Sequence, residues 1–184
     1  MGEIKNSIII FAVFTVLLGL IYPLVITGLS QLAFPEQANG NLIEVNGTVV
    51  GSTLIGQEFT SPKYFHGRPS AVDYNSSSSS GSNLGPTNQK LVDNVKQNIA
   101  DIKNENSLQS NATIPADLVE TSASGLEGYI YVDSAMIQVP RIASARNTSE
   151  TEIIKIIDEN KETPFGTEIP VVNIIKLNIA LNKL

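Results

Sequence analysis

The sequence has no cysteine and no tryptophan, and a single histidine, His66. Without cysteine there is no disulfide framework, no thiolate metal site and no cysteine nucleophile. One histidine excludes every mechanism that needs two or more, the His-rich zinc sites among them. Basic residues are few as well: 12 Lys and Arg stand against 18 Asp and Glu, for a formal net charge of −6. They form no basic block, which argues against nucleic acid as a partner. There is no G-x-x-x-x-G-K-[ST] phosphate loop and no G-x-S-x-G nucleophile elbow.

Charge is absent altogether from Asn6 to Pro35. At about 1.5 Å per residue, 20 helical residues cross a hydrocarbon core of about 30 Å. A cleaved signal peptide has a shorter apolar stretch, about 7–15 residues, and a small-x-small cleavage site. Leu32-Ala33-Phe34 is a poor one. The segment therefore reads as an uncleaved span over residues 7–34, with a short N-terminus at 1–6 and a domain at 35–184. Pro23 lies mid-span, where it removes a backbone donor and predicts a kink. Thr27, Gly28, Ser30 and Gln31 are small or polar and favour close packing on another helix. Pro23 and Gly28 are thus interface candidates. Lys5 precedes the span, whereas Glu36 and Glu44 follow it and no Lys or Arg appears before Lys63. The positive-inside rule then places the N-terminus in the cytoplasm and the large domain outside.

That domain reads as mixed α/β. Leu42–Val45 and Thr48–Val50 flank Asn46-Gly47, a strong two-residue turn signal, and predict a hairpin whose second strand continues through Ser52–Gln57. Residues 60–88 are dense in turn formers. Ser76–Ser80 has the composition of a flexible linker, while Tyr64, Phe65 and Tyr74 are aromatics that anchor a loop. Leu91, Val95, Ile99 and Ile102 predict an amphipathic helix over Asn88–Ile102. Pro115 suits the first turn of a short helix through Val119. Ser134–Arg146 has a helical pattern that Pro140 is expected to bend or split. Ser149 and Glu152 form a capping box ahead of an isoleucine-rich helix. Ile174, Leu177 and Leu181 predict a final helix. The lone His66, in an aromatic, Gly/Pro-rich loop, reads as a structural hydrogen-bonding residue. Gly81–Gly85 reads as a turn leading to a helix cap.

Several blocks taken together carry a resemblance. They are Gly51–Gln57, Tyr64–Ser70, Gly81–Asn88, Ile114–Val119, Ser122–Leu126, Gln138–Ala143 with Ala145-Arg146, and Val172-Asn173 with Leu177-Asn178. In this order, behind one N-terminal span, they resemble the C chain of the Kdp complex, the high-affinity potassium-transporting P-type ATPase. The chain departs at Glu127-Gly128-Tyr129, where the family usually has Asp-Pro-His, so a role for that histidine is not carried over.

The resemblance implies a non-catalytic subunit. It also implies three partners besides membrane lipid: a channel-like potassium-binding subunit, an ATP-hydrolysing P-type subunit and a small accessory subunit. ATP, magnesium and potassium then belong to the complex, with no cofactor bound by this chain alone. Within the family-like blocks, the structural or interface candidates are Gln57, Tyr64, Phe65, Arg68, Ser82, Asn83, Asn88, Asp117, Ser124, Gln138, Arg141, Arg146 and Asn173. Arg68, Arg141 and Arg146 are expected to organise polar groups through their guanidinium forks, with Asp117 as a partner for one of them. An anchored extracytoplasmic enzyme and an acidic gate beside the ion path are the other function classes compatible with the residues.

Overall fold

A computed structural model describes residues 2–184. They divide into two compact units, one ending at Leu42 and one spanning Ile43–Leu184.

The first unit is dominated by one helical run of 32 residues, Gly2–Ala33, apolar and long enough to cross a membrane. It consists of α1 (Gly2–Val16), a π-helical turn at Leu17–Ile21, and α2 (Tyr22–Ala33). The wider turn lies just before Pro23. Tyr22 donates its N–H five residues back, to the Leu17 carbonyl. Pro23 then opens α2, where its missing N–H and its ring interfere least with the bonding ladder. A side chain at Gly28 would meet nothing within 4 Å. The short helix α3 (Pro35–Ala38) follows. Its cap, Asn39, exchanges two 3.2 Å hydrogen bonds with the Gln31 amide, so the polar group of Gln31 is satisfied within the chain.

The second unit opens with the predicted hairpin of β1 (Leu42–Val45) and β2 (Thr48–Ser52). Asn46 and Gly47 have φ of 52° and 76°. Both central residues are left-handed, the requirement of a type I′ turn, which is why Asn-Gly is favoured there. The expected continuation through Gln57 does not form. The chain folds back after Ser52, which bridges Ile55 in an antiparallel sense. Nor is Ser76–Ser80 a linker: Ser76–Ser78 is a 3₁₀ turn capped by Asn75, and Ser79 Oγ donates to the Ser124 carbonyl at 3.0 Å.

Helix α4 (Gln89–Glu105) is capped by the Asn88 side chain and presents Leu91, Val95, Ile99 and Ile102 as a half-buried stripe. Pro115 precedes a 3₁₀ turn at Ala116–Leu118 rather than lying inside it. Next come β3 (Tyr129–Tyr131), α5 (Val132–Arg146), α6 (Glu150–Asn160), β4 (Lys161–Glu162), β5 (Val171–Asn173) and α7 (Ile174–Leu181). Pro140 does not split α5, because it lies on the exposed face. The capping box of Ser149 and Glu152 is present at the start of α6.

The three strands pair antiparallel in the order β3-β5-β4, with Ile130 opposite Val172. Those two residues face the core, where they meet Ala135, Val139 and Ile142 of α5, Ile153, Ile156 and Ile157 of α6, and Leu177 and Leu181 of α7. Phe65, fully buried in this cluster, comes from a loop.

Candidate functional site

Phe65 reaches the core from a loop without regular structure, so its backbone polar groups need partners from side chains. Asn178 of α7 supplies both: Phe65 N–H donates to Asn178 Oδ1 at 2.8 Å, and Asn178 Nδ2 donates to Phe65 O at 3.0 Å. Gln138 of α5 does the same for His66, accepting its N–H at 2.8 Å and donating to its carbonyl at 3.1 Å. Two consecutive loop residues are thus clamped by two buried amide side chains projecting from core helices.

Arginines close the rest. Arg141 donates Nε to Asn106 Oδ1 at 3.0 Å, Nη1 to the carbonyls of Pro62 at 2.7 Å and Tyr64 at 3.0 Å, and Nη2 to Gln138 Oε1 at 2.7 Å. Arg146, one turn further along α5, donates Nε to the Lys63 carbonyl and Nη1 to the Leu181 carbonyl, both at 2.7 Å. Its guanidinium lies 5.0 Å from the centroid of Tyr64. Tyr64 packs on Phe59 and donates to Asn182 Oδ1 at 3.1 Å. The planar five-donor fork suits this task, since one lysine cannot reach so many carbonyls at fixed angles.

His66 joins the loop to the end of α4. Its Nδ1 lies 2.8 Å from Glu105 Oε1, and Nε2 lies 3.0 Å from the Ser61 carbonyl. Arg141 Nε stands 3.6 Å from the same carboxylate oxygen. Glu105 is held below the usual carboxylate range, chiefly by its hydrogen bond to His66, against the opposing effect of burial. Burial lowers the Arg141 pKa while Glu105 supports its charge. Both ring nitrogens of His66 thus face oxygen acceptors.

The third arginine behaves differently. The Arg68 side chain donates from Nη2 to the Glu120 carbonyl at 3.3 Å, while its Nε is buried without a hydrogen-bond partner among the described residues. Asp117 partners no arginine, contrary to expectation. It is buried at the start of α5, where Oδ2 accepts the Tyr131 N–H at 2.8 Å and Oδ1 accepts from Ser134 Oγ at 2.6 Å. A carboxylate there fixes the N-cap residue Tyr131 and the first-turn hydroxyl of Ser134, and complements the positive end of the helix.

The remaining candidates lie apart from this node. Gln57 Nε2 donates to the Val50 carbonyl, and Asn173 Nδ2 to the Thr53 carbonyl, both at 2.9 Å; together they tie the hairpin's return to the domain. Asn83 has φ of 54° in the turn before α4, beside Ser82, whose Oγ faces the Leu84 amide at 3.5 Å. Ser124 Oγ accepts the Leu126 N–H at 3.1 Å. Pro23 and Gly28 belong to the other unit.

Sequence reasoning missed Asn178, Asn106 and Glu105. Asn178 sits in a recognised block, but nothing local says that it faces Phe65, 113 positions away. Gly56 was equally silent: a side chain there would meet the Glu127 carbonyl at 2.5 Å and the Tyr74 ring at 2.7 Å. That close approach seats Tyr74, whose hydroxyl donates to Arg68 O at 2.7 Å and whose pKa is pushed up to about 12, first by burial and then by Glu58.

A polar cleft of about 210 Å³ adjoins the node, lined among others by Glu58, His66, Arg68, Asp73, Tyr74 and Asp101. Three carboxylates against one arginine and a histidine do not fit a triphosphate. Among the described residues no group of three or more His, Asp or Glu is arranged to hold a metal ion. The chemistry available is loop ordering: core helices fix Pro62–His66 from several sides.

One helix long and apolar enough to span a bilayer, followed by a mixed α/β unit, is the architecture of a single-span membrane subunit. Residues 4–183 match the family described as KdpC, the K+-transporting ATPase c chain, and the chain belongs to that family. It is 44% identical over 196 residues to the potassium-transporting ATPase KdpC subunit of Rhodopseudomonas palustris strain BisB18, covering 98% of this chain and 97% of that one. The subunits so named from Koribacter versatilis and Caulobacter vibrioides strain NA1000 are each 46% identical. These matches cover 96% and 99% of this chain and 92% and 93% of the relatives.

Proposed function

We propose that the chain is a non-catalytic accessory subunit of an ATP-driven potassium uptake pump. It stabilises the assembly of the channel-like potassium-binding subunit with the ATP-hydrolysing P-type subunit, alongside a small accessory subunit. The observation that carries this reading is a family match running unbroken through both the apolar helix and the α/β domain. ATP, magnesium and potassium act at the level of the complex.

The span holds the chain in the cell membrane with its N-terminus in the cytoplasm. The flanking charges support this, Lys5 before the span and the acids Glu36 and Glu44 after it. The α/β domain is then on the side opposite to ATP. Any rise in the pump's ATP affinity, the role called catalytic chaperone, runs through conformation: the chain favours one state of its partners. The arginine-ordered loop suits such a role, because a rigid surface biases a partner's equilibrium more than a floppy one.

Deleting the chain and isolating the remaining subunits from membranes tests the reading. Loss of the complex, restored by supplying the chain in trans, is the expected result. Intact assembly with full potassium-stimulated ATPase activity in its absence would refute it.

A further inference from the structure

The longest helix of the α/β unit, α4, buries none of its 17 residues. Helices α5, α6 and α7 each bury three or more. The core cluster draws on those three helices and takes nothing from α4. The stripe of Leu91, Val95, Ile99 and Ile102 is only half-buried, and two clefts run along the seam beneath it. Asn98 lines both: the polar one of about 210 Å³, which reaches Asp101 and Ile102, and a second of about 230 Å³, which reaches Leu91 and Val95. The ties across the seam are polar. Asn98 Nδ2 donates to the Val119 carbonyl at 2.8 Å. At the C-terminal end Glu105 Oε1 meets His66 Nδ1 at 2.8 Å, and the capping residue Asn106 accepts from Arg141. A third cleft, of about 370 Å³, opens beside that end. The flanking segments are not packed in either: Asn83 and Ser107 are exposed, with φ of 54° and 51°, and a side chain at Gly85 would meet nothing within 4 Å.

We infer that α4 is a strap: it releases from the α/β unit as one piece while α5, α6, α7 and the sheet between them stay folded, and the contact of Glu105 with His66 is its latch. Local stability follows the apolar surface that an element buries. Releasing α4 uncovers a half-buried stripe and breaks a few polar ties, whereas releasing α5 or α6 would empty the core. The latch has a carboxylate as acceptor, which makes it charge-assisted and stronger than the neutral tie from Asn98. It also joins the end of α4 to the loop at Pro62–His66. The docking of the helix and the order of that loop therefore form one linked equilibrium: whatever holds the loop holds the strap, and release of the strap loosens the loop. The inference concerns the α/β unit itself and does not depend on the proposed role in assembly.

Hydrogen exchange of the full chain in detergent, read by mass spectrometry, tests it. Peptides of α4 are expected to exchange about tenfold faster, or more, than those of α5, α6 and α7. Two kinds of variant separate a strap from a helix that opens only with the core. Ile153→Val trims the core at a fully buried position. It should speed exchange of the core helices about fivefold and leave α4 unchanged, because α4 opens while the core is intact. Glu105→Gln and His66→Gln cut the latch from its two sides, and each should speed exchange of α4 about tenfold. Exchange of α4 at the rate of the core helices would overturn the inference, and so would equal acceleration of α4 by Ile153→Val. An α4 that neither latch variant affects would overturn it too. A latch variant that strips protection from every helix at one rate would show that Glu105 fastens the whole unit, and would overturn it as well.

Discussion

Asn178 hydrogen-bonds both backbone groups of Phe65, accepting its N–H and donating to its carbonyl across 113 positions of sequence. The Phe65 side chain is fully buried, so without the amide these two groups would be sealed away from water. Each unsatisfied buried group costs about 1–3 kcal/mol, so Asn178→Leu should destabilise the chain by about 2–4 kcal/mol. Asn178→Asp keeps one acceptor and should fall between. Denaturant unfolding of the full chain in detergent measures the order.

Arg141 ties Pro62, Tyr64, Asn106 and Gln138 together, so Arg141→Lys is not a mild change here. A lysine keeps the charge facing Glu105 but loses most of the fork, and the variant should unfold nearly as readily as Arg141→Ala. Each is expected to cost about 3–6 kcal/mol, the sum of two hydrogen bonds from a charged group at about 1.5–3 kcal/mol each. Near wild-type stability for the lysine variant would show that charge, not geometry, holds the loop.

Two titrations bracket the stable pH range. Glu105 has its folded pKa lowered, so its contribution is present above its unfolded value and is lost as pH falls through the lower folded value. Glu105→Gln should therefore flatten the acid limb of the stability curve. Tyr74 has its folded pKa raised from 10.0 to about 12. Its contribution is complete below the unfolded value and disappears as pH rises from 10 toward 12, and Tyr74→Phe should remove that alkaline loss. Chemical denaturation at a series of pH values reads both.

Pro23 is preceded by a π turn, which adds one residue to a turn of helix. The addition rotates everything after it by about 100° relative to a regular helix. Pro23→Leu should restore regular phasing and swing Thr27 and Gly28 away from the side set by α1. Membrane insertion is expected to stay normal while recovery with the pump subunits falls. Gly28→Leu, which places a bulky group on the same stretch, should act in the same direction. If both variants assemble at wild-type levels, the span is an anchor only.

Local chemistry made much of the fold legible. The Asn-Gly turn, the Ser149–Glu152 capping box and the stripe of α4 all follow from residues within a few positions of one another. What escaped the sequence was decided at long range. Pro140 was expected to bend or split α5, and the helix runs through it unsplit, with Pro140 on the exposed face. Asp117 looked like a partner for an arginine, yet packing delivers it to the open end of α5. Arg141 and Arg146 were legible as organisers because each lies in a recognised block and a guanidinium fork can bind several carbonyls at once. Of their amide counterparts Gln138 was, as part of a recognised block, but Asn106 and Asn178 were not, since an asparagine in a helix reads the same whether it faces water or a buried backbone.

Protease applied from outside intact cells checks the orientation. Cleavage throughout the Leu42–Leu184 region, with the N-terminal segment protected, is expected. Complete protection of the domain would place it in the cytoplasm and remove the argument for an indirect route to ATP.

The most direct measurement of the central claim is affinity purification of the tagged chain from mildly solubilised membranes, followed by subunit identification and an ATPase assay. The account predicts that the ATP-hydrolysing and channel-like subunits co-elute in fixed ratio with the chain and that the eluate hydrolyses ATP in response to potassium. Recovery of the chain without either subunit, under conditions in which those two remain bound to each other, would contradict it.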